Sequence, residues 1–167
     1  MANICIVDVQ GFYVNNKFIA KEVAVLRGLQ QQYAHFVFLP PQNVYPDFKH
    51  RHFVENYIHG LEWNSGYVPY ELLQNVLQVV TKDNSEVYVK GHEKMKYMQS
   101  LLKNKRVINL EAFDCPSLKS IKNNYKFQCN GIYNNYVKCF FHKSPVLNCS
   151  LLNVIMLMSW WKNNMCM

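Results

Sequence analysis

Hydrophobic and polar positions along the chain separate into two regimes. The stretch "NICIVDV" is rich in Ile and Val, ends in Asp8 and is broken by Gly11, which predicts a buried strand. "KFIAKEVAVL" alternates and follows Asn15-Asn16, so it is expected to be the hairpin partner of the first strand. "YAHFVFLPP" predicts a third strand, stopped by Pro40-Pro41 because proline cannot donate to the ladder. Three mutually antiparallel strands therefore open the chain.

Beyond residue 46 the period changes. "DFKHRHFVENYIHG" predicts a short helix ended by Gly60, and "PYELLQNVLQVVT" a second, with Leu72, Leu73, Val76, Leu77 and Val80 at helical spacing. "EVYVKG" reads as a fourth strand, "HEKMKYMQSLLKN" as a helix, "RVINL" as a fifth strand and "CPSLKSI" as the start of a short helix. From Asn123 to Lys138 no period is visible and a loop or irregular hairpin is expected; a last helix should run from about Cys149 to Trp161. With no internal repeat or linker, residues 1–167 read as one α/β domain. Its expected mixed sheet, three antiparallel strands and then parallel ones flanked by helices, has the element order of ribonuclease H-like folds.

Composition narrows the class. Half the residues are hydrophobic and 14% aromatic, which excludes intrinsic disorder. The start does not read as a signal peptide, so an intracellular location, cytoplasmic or nuclear, is expected. The longest apolar run, "SLLNVIMLMSWW", is about half a bilayer span, and no membrane partner is expected. The net charge of +7 is concentrated: Lys82 to Lys143 holds twelve Lys/Arg against five Asp/Glu, while the remainder balances. Such an excess suits a polyanion, RNA or single-stranded nucleic acid above all, or simply a soluble surface.

The six cysteines are better read as thiols or metal ligands than as disulfides in an intracellular chain. "KCFFHKSPVLNCSLLN" places Cys139 and His142 in a C-x2-H loop and Cys149 at the start of the closing helix. Zinc takes four such ligands tetrahedrally, and a helix N-terminus favours the thiolate. The candidates for the fourth position are Glu22, a carboxylate in an otherwise apolar strand, then Cys115, then Cys129. Such a site would have no open position and would be structural. Without metal, these residues would be core thiols and a salt-bridged acid.

Against the pattern of exonucleases with four acidic residues, one carboxylate survives. Asp8-Val9-Gln10 stands where Asp-x-Glu would be, the later acidic positions fall at or near Met95 and at Val154 beside Asn153, and Cys149 takes the place of a histidine. Two metal ions need more carboxylates than that. "FIAKEVAVL", "HFVFLPP", His59 and "CFFH…NCSLLN" together resemble the Maelstrom-type domain, a divergent ribonuclease H-like family derived from such exonucleases. The resemblance implies a Glu-Cys-His-Cys zinc site of Glu22, Cys139, His142 and Cys149, and a setting in small-RNA silencing or mobile elements, with silencing-pathway proteins as possible partners.

For nucleic acid, Lys90, His92 and Lys94 surround a helix start after a strand, with Lys105 and Arg106 in a second basic cluster; solvated faces are the plainer reading. Phe12 and Tyr13, on an expected "QGFY" turn, could stack on bases or pack in the core. The leading expectation is a zinc-stabilised domain that binds RNA or single-stranded nucleic acid and has lost two-metal hydrolysis. Its rivals are an active nuclease on single-stranded RNA, using Asp8 or a metal-independent Lys/His route, and a viral or transposon-derived interaction module that antagonises silencing.

Overall fold

The computed structural model describes residues 4–28, 32–128, 139–143 and 148–165, with backbone alone for 125–128. Strands β1 (Cys5–Val14), β2 (Lys17–Arg27) and β3 (Gln32–Val37) are followed by α1 (Phe48–Phe53), which widens into a π-helical turn over Val54–Ile58. A 3-10 turn (Tyr70–Leu72) leads into α2 (Leu73–Val80), then come β4 (Glu86–Val89), α3 (His92–Leu101) and β5 (Arg106–Asn109). Helices α4 (Leu118–Gln128) and α5 (Ser150–Met165) complete the described elements.

The sheet order is β3-β2-β1-β4-β5, with β1–β2 and β2–β3 antiparallel and β1–β4 and β4–β5 parallel. This is the mixed sheet, antiparallel and then parallel, flanked by helices, that the element order predicts. Asn15 and Asn16 both take positive φ (49° and 62°), the conformation a two-residue hairpin turn requires and asparagine tolerates. Odd-numbered β1 residues such as Val7 and Val9 face Leu77 and Met98 of α2 and α3, while Ile4 and Ile6 face Leu151, Val154 and Leu157 of α5.

A bulge interrupts this alternation. Gln10 pairs with Glu22 but Gly11 with Ala20, which leaves Lys21 as the extra residue on β2. Its buried ammonium donates to the carbonyls of Phe38 (2.6 Å), Trp63 (2.7 Å) and Ser65, so all three of its hydrogens are used. Gly11 is forced at the same place: a Cβ there would lie 2.2 Å from the Ile19 carbonyl oxygen. The Gly11 carbonyl instead accepts from His59 Nε2 at 3.0 Å, and His59 Nδ1 accepts from Leu61 N at 3.1 Å.

Three expectations change. β1 continues through "QGFY", so Phe12 is fully buried against His59 and Trp63 (ring centroids 4.9 and 5.2 Å) and cannot stack on a ligand. Residues 123–128, expected as loop, continue α4, because Ser117 Oγ accepts from Ser120 N (3.1 Å) and Leu118 and Ile121 pack toward α5. The closing helix outlasts Trp161, whose ring packs on Tyr88 and Phe113. Cys129 and most of the expected loop lie outside the described residues.

Burial drives the His59 imidazole down to about 4, overcoming the Gly11 hydrogen bond. Its folded value lies below its ordinary 6.5, so between these values the unfolded chain binds the extra proton and stability falls as pH drops. Urea midpoints should fall from pH 6.5 to 4 by the equivalent of about 3 kcal/mol, less in His59→Gln. A flat profile in the wild type would contradict a buried neutral His59.

Candidate metal centre

The β1–β2 register puts two carboxylates on one face. Asp8 pairs with Ala24 and Gln10 with Glu22, so Asp8 and Glu22 sit diagonally on neighbouring strands, and both are inaccessible to solvent. Helix α5 crosses above them. Its first backbone N–H, at Ser150, donates to Glu22 Oε2 (3.0 Å), and one turn later Asn153 Nδ2 donates to Asp8 Oδ2 (2.9 Å). The N-terminal end of the helix dipole thus faces Glu22.

The other oxygen of Glu22 is the centre of a cluster. Oε1 lies 3.2 Å from His142 Nε2, 3.5 Å from Cys149 Sγ and 3.8 Å from Cys139 Sγ. The ligand atoms of Glu22, Cys139, His142 and Cys149 all fall within 4.8 Å of one another. Tetrahedral zinc with usual bond lengths would separate an oxygen from a nitrogen by about 3.3 Å and from a sulfur by about 3.6 Å. The donor set and its spacing therefore fit a four-coordinate ion of zinc type.

The 139–143 loop is held in register from below. His142 forms an antiparallel bridge with Leu61, Lys143 N donates to Gly60 O (2.8 Å) and Asn148 N to Ile58 O (3.2 Å). His142 Nδ1 donates to the His59 carbonyl, which fixes the tautomer and leaves the Nε2 lone pair for the cluster. The buried His59 thus supports the centre through its backbone. The stacked rings of Tyr67 and Phe141 (5.7 Å) cover the loop, and Tyr67 Oη donates to His35 O (2.7 Å).

His35 is a participant that the sequence reading missed. It pairs with Ala24, on the face of Glu22, and its Nε2 is 2.8 Å from Glu22 Oε1 and 3.8 Å from Cys139 Sγ. Only the β2–β3 register reveals it, since a lone His in an apolar strand carries no spacing signal. Cys115, the alternative fourth ligand, is elsewhere: it packs with Ile4, Leu110 and Ile121, its thiol pushed up to about 11 by burial.

Burial and mutual hydrogen bonds set the protonation of the cluster. Burial opposes ionisation of Glu22, but hydrogen bonds from His142 and His35 outweigh it and hold the carboxyl at about 2. Cys139 is held down at about 3 chiefly by the hydrogen bond from Cys149, which keeps its own proton and is pushed up. Burial likewise opposes protonation of His142, yet its bonds to Cys139 and Glu22 raise it to about 10. Protons thus occupy places an ion could take, and metal uptake would release them.

Asp8 has found a different counter-ion. Lys94 Nζ sits 2.5 Å from Oδ1, and Gln10 Nε2 is 3.5 Å from Oδ2, beside the Asn153 contact. At the expected lost-carboxylate positions and beside them, Lys94 and Asn153 meet Asp8, while Met95 and Val154 pack into opposite cores. An ammonium now balances the surviving acid. The cluster's second neighbour is therefore a site already neutralised within the chain.

The expected nucleic-acid residues are largely engaged elsewhere. Lys94 serves Asp8, Lys90 Nζ pairs with Glu111 (2.7 Å), and Arg106 reaches Glu86 at 3.3 Å. Lys105 Nζ donates to the Thr81 and Asn84 carbonyls (both 2.6 Å), where it ties β5 to the end of α2. His92 is exposed at the start of α3. No helix among the described residues is long and apolar enough to cross a membrane.

No family model matches the chain, and no curated protein matches it. Among solved structures, the Mopeia virus exonuclease domain, fully depleted of manganese, aligns over 93% of this chain and 74% of its own, at 16% identity and a TM-score of 0.48.

Replacing Lys94 tests the ion pair. With Asp8 inaccessible and Lys94 about a quarter exposed, Lys94→Met should lower stability by about 3–5 kcal/mol, because a buried charge loses its partner. The double variant Lys94→Met/Asp8→Asn should recover part of this. Equal urea midpoints for Lys94→Met and wild type would show that the pair contributes nothing.

Proposed function

We propose that this chain is a Maelstrom-type ribonuclease H-like domain in which Glu22, Cys139, His142 and Cys149 hold one structural zinc. On this reading it binds RNA or single-stranded nucleic acid, in a small-RNA silencing or mobile-element setting with silencing-pathway proteins as partners, and performs no two-metal hydrolysis. The observation that carries the reading is the cluster around Glu22 Oε1: carboxylate, imidazole and two sulfurs within 4.8 Å of one another. Four protein donors leave no place for a substrate oxygen, and a closed site is a structural one. Zinc would clamp the 139–143 loop and the start of α5 onto β2.

The same face argues against metal-dependent cleavage. Two-metal catalysis needs carboxylates that hold both ions beside the scissile phosphate. Asp8 is the one carboxylate left at its place, Gln10 and Asn153 are neutral, and Lys94 supplies the positive charge. The silencing setting rests on the resemblance of "FIAKEVAVL" and "CFFH…NCSLLN" to that family.

Purified protein should contain about one zinc per chain, bind single-stranded RNA at low salt, and fail to cleave it with Mg²⁺ or Mn²⁺. Stripping the zinc with a strong chelator should lower the melting midpoint by roughly 10 °C or more. Metal-free protein of unchanged stability would overturn the zinc assignment. Mg²⁺-dependent cleavage abolished by Asp8→Asn would overturn the loss of hydrolysis.

A further inference from the structure

A cavity of about 650 Å³ opens beside Gln10 and Lys94, between the α1–π segment and α3. Its volume is in the range of ligand pockets, and its wall is mostly apolar. Val9, Gly11, Phe18, Phe53 and Tyr97 are among the residues that line it, and the rings of Phe18 and Tyr97 meet edge-on at 4.8 Å. Tyr13 stands at its mouth, half-exposed, its ring 5.3 Å from that of Phe18. The Tyr13 backbone N–H donates to His50 Nε2 (3.0 Å), so His50 carries its proton on Nδ1 and keeps one donor for whatever enters.

Outside the mouth the aromatic surface continues. Phe53, Tyr57, His52 and Phe48 follow one another along the helix, with ring centroids 5.8, 6.4 and 6.1 Å apart in that order. Phe48, Phe53 and Tyr57 are 79%, 53% and 65% exposed, a concentration of bare rings that packing within the chain does not require.

The charges beside these rings favour a polyanion. The acids flanking α1 are already committed: Glu55, in the π-helical turn, accepts from Arg51 Nε (2.9 Å) and Trp63 N (2.7 Å), and Asp47 caps the helix by accepting from His50 N. Lys49 carries no ion pair among the described residues, and Lys96, 62% exposed, has only Glu93 at 3.7 Å. Bare aromatic faces flanked by exposed lysines are what single-stranded nucleic acids use, bases on rings and phosphates on cations.

We propose that this cleft is the nucleic-acid site of the chain: one unpaired base inserts between Tyr13, Phe53 and Tyr97, and neighbouring bases stack along Phe53, Tyr57 and Phe48. Lys49 and Lys96 meet the phosphates. The site deepens the proposed nucleic-acid function and rests on it; its lining adjoins the metal centre at Gln10 but includes none of the proposed zinc ligands, nor Lys90 or Arg106.

Binding of fluorescein-labelled single-stranded RNA by wild type, Tyr13→Ala, Phe53→Ala and the control Tyr33→Ala on the edge strand tests this, with circular dichroism to verify folding. Each cleft variant should weaken binding by roughly five- to 150-fold with the salt slope unchanged, and Tyr33→Ala should leave it unaltered. Lys96→Ala should reduce the salt slope by about one. In wild type, 4-thiouridine RNA should photo-crosslink to peptides containing Tyr13, Phe48 or Phe53, which needs no variant to fold. Wild-type binding with crosslinks elsewhere and no loss in the cleft variants overturns the cleft and leaves nucleic-acid binding intact. No binding by wild type even at low salt overturns both, and the aromatic face is then a protein-docking surface.

Discussion

The carboxylate of Glu22 is the constraint on which the rest depends. It is inaccessible to water in the middle of a sheet, and a buried carboxylate is tolerated only where positive charge or donors meet it. Everything placed late in the described chain answers that need: the 139–143 loop supplies Cys139 and His142, and α5 brings Cys149 and the Ser150 N–H. The loop in turn is aligned by Gly60 and Leu61, and through His59 by the bulge at Gly11. Removal of the acid would cost α5 the Ser150 N–H contact and leave Asn153 on Asp8.

Asp8 shows a second solution to the same problem on the same face. There the charge is balanced by an ammonium from α3, a partner that needs no free ion. Two buried acids under one helix thus have unlike counter-charges, one within the chain and one proposed to come from solution. An ammonium does not activate water as a divalent ion does, and the proposed loss of two-metal hydrolysis rests on this difference.

Much of the fold was legible because its strands are marked by Ile/Val runs and bounded by strong breakers: Asn15-Asn16, Pro40-Pro41 and Gly60 each fall at an element's edge. The C-x2-H spacing of Cys139 and His142 was legible for the same reason, being local. What was not legible depended on register. His35 joins the cluster because it pairs with Ala24, and Lys94 and Asn153, one residue from the positions expected, meet Asp8 because α3 and α5 dock in one rotation and no other. Phe12 and Tyr13 were expected on a turn because Gly11 can mark either the end of a strand or a bulge within it, and here it accompanies the bulge at Lys21 past which β1 continues. Lysine's role is equally silent: Lys90, Lys94 and Lys105 look like a basic surface until their partners are seen.

Zinc K-edge X-ray absorption on the purified protein tests the central claim most directly, because it reads the ligand set itself. The arrangement around Glu22 predicts two sulfurs at about 2.3 Å and two nitrogen or oxygen atoms at about 2.0–2.2 Å. The sulfur count should fall to one in Cys149→Ser. A shell of oxygen and nitrogen alone, or protein that folds and retains no zinc, would contradict a Glu-Cys-His-Cys metal centre.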